Sequence, residues 1–390
     1  MVYGRVELYP QSTGFAMTFA FLPAEQCDDA PIRTLLANNP MPGDVTVAFE
    51  REPDYFLGHG IMGDRCTTIK AVDISNGKIV AVVCVASANR FVGGSVKPVG
   101  YIGQLRIDAS YRGYLLPLRA MSFIHEWIDS GWPDTWIAVF ADNNPEAYKI
   151  FITKPRPSLP SMELVSRVHT LAILTSARTS SHSSRDKKKH PGEIRRGDEI
   201  GLPLIVDFLQ EQAQKREFFP WYSEDHFDMA IRSPGFSTTD FLVCFEGGDI
   251  AGVCGVWDQS SFKQTVVRGY RGLLKRARPL INLAAPISGI QRLPGVGEEI
   301  QSAYLSFLAV RENNTAIFHT LLRSAVQAAH AMGKSYLLAG FAEGDPFLAV
   351  ALRFRHISYR STMFAFNFAG VVPTEAFYRG KIPYVDVATL

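Results

Sequence analysis

The order of structural signals in this chain runs through twice, and that constrains its fold more than any single motif. Strand signals end at Ile107 and Val310, and again near Ala141 and Phe341, both pairs about 200 residues apart. Each first strand feeds a turn and an amphipathic helix, and each second strand feeds a short helix and a last strand. An order repeated at a fixed offset marks a duplicated unit, and here the unit has the size of a domain. The chain has 390 residues, 47% of them hydrophobic, enough for two full cores.

In the first pass, strands are expected at 15–21, 66–73, 78–86, 101–107, 135–141 and 162–174. Asn76-Gly77 joins two of them as a hairpin turn. Helices are expected at 28–37 and 115–130, the latter with Leu118, Met121, Ile124 and Ile128 on one face and Pro117 in its first turn. In the second pass, helices fall at 205–211, 315–331 and 346–354, with strands at 241–246, 250–257, 303–310, 335–340 and 359–368. The hairpins of the two passes lie only about 170 residues apart, so the second holds an insertion of roughly 30 residues near 259–297. Between the passes, 176–197 reads as an exposed Ser, Lys, Arg and His linker containing Lys187, Lys188 and Lys189. The expected division is 1–175, the linker, 198–370 and a tail at 371–390.

Charge excludes some partners. Lys and Arg total 40 against 38 Asp and Glu, a net +2, which gives no electrostatic case for nucleic acid or a membrane surface. No stretch approaches the roughly 18 apolar residues of a membrane span, and the first residues carry no apolar export signal. The five cysteines are scattered without a CxxC pair, so neither a disulfide framework nor a metal site is expected, and a cytoplasmic setting follows. There is no GxSxG elbow, HExxH, P-loop or dinucleotide fingerprint. His59 and His125 lie in contexts that suggest packing.

The chemistry-bearing segment is 101–128. A strand ends, Arg112-Gly113 makes a tight turn, and a helix begins. The first turn of a helix presents free N–H groups and the positive end of the dipole, which suits a phosphate. Gly113 permits close backbone approach, and Arg112 adds a charged donor.

Order and residues together resemble the GNAT superfamily of acetyl-CoA-dependent N-acetyltransferases. The implied fold class is α/β, a mixed α+β sheet built as two GNAT-like acyl-CoA N-acyltransferase domains in tandem. The resemblance places the CoA pyrophosphate at Tyr111, Arg112, Gly113, Tyr114, Leu115 and Leu116, with the thioester along Leu105, Arg106 and Ile107. The family's later glycine positions hold Leu115 and Pro117. Its N-x-x-A-x-x-x-Y segment reads Asn144-Pro145-Glu146-Ala147-Tyr148-Lys149-Ile150-Phe151, with Phe151 in the tyrosine position and Tyr148 one turn earlier. Asn144, Ala147, Tyr148 and Phe151 would line the pantetheine, with Tyr148 as the acid for the leaving thiolate. Segment 40–56 looks like the acceptor-side wall of a bacterial GNAT subgroup. Glu50, Asp54 and Tyr55 would position the amine there, and Glu52, Asp108 or Asp142 would deprotonate it.

The second pass lacks these signatures. Arg311-Glu312-Asn313-Asn314-Thr315 has no glycine, and Asp345-Pro346-Phe347 replaces the asparagine segment. The insertion carries Arg268, Arg271, Lys275, Arg276 and Arg278, which suit a nucleotide phosphate or an acidic partner, without the aromatic interleaving of a single-strand binder. The expectation is an acyltransferase using acetyl-CoA or another acyl-CoA and no metal, acting on a small-molecule or peptide amine, as a monomer or an oligomer. A non-catalytic acyl-CoA-binding protein and an acyl-carrier-protein-dependent acyltransferase are the alternatives.

Overall fold

A computed structural model describes residues 18–153, 159–175, 192–227, 232–288, 291–368 and 381–390. The start of the first expected strand, most of the linker and the first half of the tail lie outside these residues.

The first half supplies β1 (Phe19–Pro23), α1 (Asp29–Asn38), β2 (Val45–Glu50), β3 (Arg65–Asp73), β4 (Lys78–Val92), β5 (Ser95–Ile107), α2 (Leu116–Trp127), β6 (Trp136–Ala141), α3 (Pro145–Tyr148) and β7 (Glu163–Leu174). The second supplies β8 (Glu193–Arg196), α4 (Gly197–Ile200), α5 (Leu202–Ala213), β9 (Phe241–Glu246), β10 (Asp249–Trp257), β11 (Gln264–Tyr270), α6 (Gly272–Ser288), β12 (Ser302–Val310), α7 (Thr315–Ala331), β13 (Tyr336–Ala342), α8 (Pro346–Ala351) and β14 (His356–Phe366).

Twelve strands form one sheet in the order β1-β3-β4-β5-β6-β14-β7-β13-β12-β10-β9-β8. The two halves therefore exchange strands at the centre. β14, from the second half, pairs with β6 of the first, and β7, from the first, pairs with β13 of the second. β7 and β14 also pair with each other, antiparallel, so the seam between the halves is a hydrogen-bonded ladder.

β4 is apolar almost without a break, because both its faces are covered. On one face Val82 packs with Ile32, Leu35 and Leu36 of α1 and with Tyr55. On the other, α2 buries Leu116, Leu118, Ala120, Met121 and Ile124. α7 does the same for the second half through Phe318, Leu321, Leu322 and Val326.

Two features shape the clefts. β5 runs parallel to β6 only at Gly100 and Tyr101, and β12 runs parallel to β13 only over Ser302–Tyr304, after which each pair parts. The insertion strand β11 crosses from the second half to pair with β2 of the first, forming a separate two-stranded ribbon.

Candidate active site

β5 bulges at the point where it leaves β6. Its register on β4 jumps from Arg106↔Val82 to Gly103↔Cys84, which leaves Gln104 and Leu105 without ladder partners. Gln104 adopts φ 55°, a left-handed conformation that few residues other than glycine take up. A bulge beside parted strands presents backbone N–H groups to the gap, as an oxyanion site requires. β12 repeats the bulge, with a register jump between Ala309↔Val253 and Ser306↔Gly255 and φ 53° at Phe307.

Past Ile107, the chain turns at Asp108–Tyr111 and enters α2. Asp108 accepts from Ser110 N–H at 2.9 Å and pairs with Lys78 at 2.6 Å. Burial works against its charge, but Lys78 and the Ser110 N–H outweigh burial and hold the carboxyl below its ordinary value. Tyr111 is buried and donates to Asp73 at 2.9 Å, pinning the turn to the Asn76-Gly77 hairpin. Tyr114 packs edge-on to Phe19. Arg112 and Gly113 are exposed, Gly113 with φ 98°. Leu115 is the N-cap of α2, with φ 55° and no side-chain capping bond. Among the described residues, no hydrogen bond uses the N–H groups of Gly113, Tyr114, Leu115 or Leu116. This helix start is open.

The corresponding start in the second half is closed. Asn314 caps α7, accepting from Ala316 and Ile317 N–H. Its bulge is occupied as well: Phe307 N–H donates to Asp386 at 3.3 Å and Leu308 N–H to the Tyr384 hydroxyl at 3.1 Å. Ser306 donates to the other oxygen of Asp386. Residues 384–388 fill the gap between β12 and β13 so closely that a Cβ on Gly340 would lie 2.6 Å from Val387.

The asparagine segment forms the short α3, continued by a wider turn at Lys149–Thr153. Asn144 caps it, accepting from Ala147 N–H at 3.2 Å. Tyr148 donates to Asp142 at 3.0 Å, and Asp142 also takes Thr362 of β14 at 2.9 Å. Burial raises the Tyr148 phenol above its ordinary value. Phe151 is buried and stacks on Phe140.

On the opposite face of the sheet, the residues expected on the acceptor side divide. Tyr55 is buried, hydrogen-bonded to Thr68 at 2.9 Å, and His59 reaches the same hydroxyl at 3.0 Å. Burial, with Arg51 nearby, pushes His59 down to about 4. Glu50 pairs with Arg268 of β11, and Glu52 with Arg33 of α1. Asp54 caps the turn at Tyr55–Gly58 and takes Gln26. Glu50 is thus spent inside the ribbon, Glu52 on α1, and Asp54 on its own turn and Gln26. Four inward-facing residues had no motif to flag them: Arg51, Tyr101, Lys263 and Tyr304. Tyr101 folds back along its strand so far that its hydroxyl would lie 2.1 Å from a Cβ on Gly103, beside the bulge. The signal available was an arginine directly after one strand and a lysine directly before another, and these two strands turn out to pair antiparallel.

A bulged strand that parts from its neighbour and turns into a helix, on a mixed sheet, is the GNAT fold, and this chain carries it in tandem. The same fold is found in solved structures. Saccharomyces cerevisiae N-myristoyltransferase with bound myristoyl-CoA superposes with a TM-score of 0.60 over 93% of this chain and 85% of its own, at 11% identity. A GCN5-related N-acetyltransferase from Sphaerobacter thermophilus gives 0.53 over 95% and 98%, at 12% identity. The glucosamine N-acetyltransferase region of a fungal multi-domain β-N-acetylglucosaminidase gives 0.59 over 90% of this chain and 38% of that one, at 15% identity. The sequence matches no family model and no curated relative. Among the described residues, no helix is long and apolar enough to cross a membrane.

Proposed function

We propose that the protein transfers an acyl group from acyl-CoA to an amine, with one acyl-CoA site per chain, in the first half. The observation that carries this reading is the contrast between two equivalent places. The first half has an open helix start at Gly113–Leu116 and an unpartnered bulge at Gln104–Leu105, whereas Asn314, Tyr384 and Asp386 occupy their counterparts. The pyrophosphate lies on the free N–H groups of the turn beside Arg112, and the thioester carbonyl accepts from the bulge. Asn144, Ala147 and Phe151 border the pantetheine arm.

The amine arrives as its free base from the Tyr55 side. Its nitrogen bonds to the carbonyl carbon, the C–S bond breaks, and the thiolate takes a proton from Tyr148. The proton released by the nitrogen passes to water in the cleft, because Glu52 and Asp108 are engaged by Arg33 and Lys78. Calorimetric titration with acetyl-CoA and with myristoyl-CoA tests the cofactor, and thiol release over a panel of amines tests the transfer. Failure to bind either thioester would sink the reading. Binding without transfer to any amine would favour the acyl-CoA-binding alternative.

A further inference from the structure

The cleft face of the first half presents cations where the acceptor would arrive. The ribbon pairs Glu50 with Gln264, and the next positions on the two strands are Arg51 and Lys263. Glu50 pairs with Arg268 across the ribbon, and alternation puts Phe49 and Arg51 on the other face, where Phe49 meets Arg106. Arg106 lies over the Phe49 ring at 5.6 Å, on the same face as Val82 and α1.

Arg51 is 8% exposed, and its one hydrogen bond runs to the Glu50 carbonyl at 3.4 Å. Lys263 donates to the Ala388 carbonyl at 3.1 Å and sits 4.8 Å from the Tyr304 ring. None of the ion pairs among the described residues uses Arg51, Arg106 or Lys263. Asp386, whose field reaches Lys263, already accepts from Ser306, Phe307 N–H and Ala388 N–H. A buried guanidinium without a counter-ion is strongly unfavourable. Burial accordingly weakens the hold of Arg51 and Lys263 on their protons and pushes Arg106 down to about 10. A sheet-facing surface that gathers three cations, none of them in an ion pair among the described residues, is suited to receive an anion.

We propose that Arg51 and Lys263, flanked by Arg106, receive a carboxylate of the acceptor, so that the acceptor is an amino acid or another amine with a carboxylate next to its nucleophilic nitrogen. This rests on the acyl-transfer reading above. The planar fork of Arg51 matches a carboxylate. Tyr101, on the same face, reaches along its strand to Gly103 beside the bulge and lies within the field of Arg51, so the anion site borders the strand that carries the bulge.

The test compares the twenty amino acids with their carboxamides as acceptors from acetyl-CoA, in wild type, Arg51→Met, Arg51→Lys and Lys263→Met. The best amino acid should exceed its amide by at least about 30-fold in kcat/KM, as expected for loss of a buried charge contact. Arg51→Met should collapse that ratio, and Arg51→Lys should restore part of it. Lys263→Met gives the same readout if the Arg51 variants do not fold. Equal rates for acids and amides in wild type, with acetyl-CoA binding intact, overturn this inference and leave acyl transfer standing. If acetyl-CoA does not bind, the acyl-transfer reading fails, and thermal shift decides the anion site separately. A wild-type Tm raised by an amino acid but not by its amide supports the site, and no difference between the two refutes it.

Discussion

Valine at Gly113 tests where the pyrophosphate sits. Gly113 holds φ 98°, and a Cβ there would meet nothing within 4 Å, so the whole penalty is torsional. A β-branched residue in that region costs about 1–3 kcal/mol. The turn is exposed, so the free protein escapes much of this cost by relaxing the turn. Binding must restore the N–H arrangement and meets the penalty again, which corresponds to a Kd for acetyl-CoA raised by about 5- to 150-fold. Isothermal titration measures it, with circular dichroism to confirm the fold. Gly247→Val is the control: it has φ 64°, also with no atom within 4 Å, and lies in the β9–β10 hairpin of the second half. It should cost similar torsional energy and leave the Kd alone. A Gly113→Val protein with wild-type fold and a Kd within about twofold of wild type would refute the placement, because a strained turn that binds normally is not the one contacted.

Tyr148→Phe should lower the acyl-transfer rate by about 10²-fold or more with acetyl-CoA affinity little changed, and a variant that keeps its rate removes Tyr148 from the mechanism. Asp386→Ala strips partners from Ser306 and the Phe307 N–H and should cost about 2–5 kcal/mol by urea denaturation, whereas a loss under about 1 kcal/mol would contradict the bonding described. Titration should give one acetyl-CoA per chain, and two equivalent sites would overturn the assignment to the first half. His59, with its folded value depressed to about 4, is neutral in the fold; the stability it contributes is complete above about pH 6.5 and is lost as pH falls toward 4, on the order of 3 kcal/mol. His59→Gln should flatten that part of the pH–stability curve between pH 6.5 and 4, and an unchanged curve would show that His59 is not buried as described.

Some of this was written locally. Asn76-Gly77 turns the hairpin between β3 and β4, with Gly77 at φ 71°. Leu118, Met121 and Ile124 all lie on the buried face of α2. The duplication, read from strand ends, returns in the ladder, where Gly100 meets Trp136 and Ser302 meets Tyr336. These features depend on neighbours close in sequence, whose periodicity and turn chemistry show in a single strand or helix. The Arg-Gly turn was legible for the same reason. The bulge beside it was not, because Gln104 carries no mark of a left-handed residue.

The exchange of β7 and β14 was decided by the tertiary structure alone. A strand's pattern states which face is buried and not which strand it joins, since the ladder is made of backbone groups common to every residue. The ribbon of β2 and β11 follows the same logic. In the sequence segment 40–56 and the insertion stand apart, one an expected acceptor wall and the other a basic surface, and only their pairing turns Arg51 and Lys263 inward while matching Glu50 with Arg268. The closing of the second slot depends on Tyr384 and Asp386 reaching the bulge of β12, a contact more than 70 positions away along the chain, as the 76–80 residue separations of these bonds record. Composition and spacing determined which elements exist and which faces they hide. Long-range packing determined which of two similar sites stayed open, because an N–H group is free only when nothing else in the folded chain reaches it.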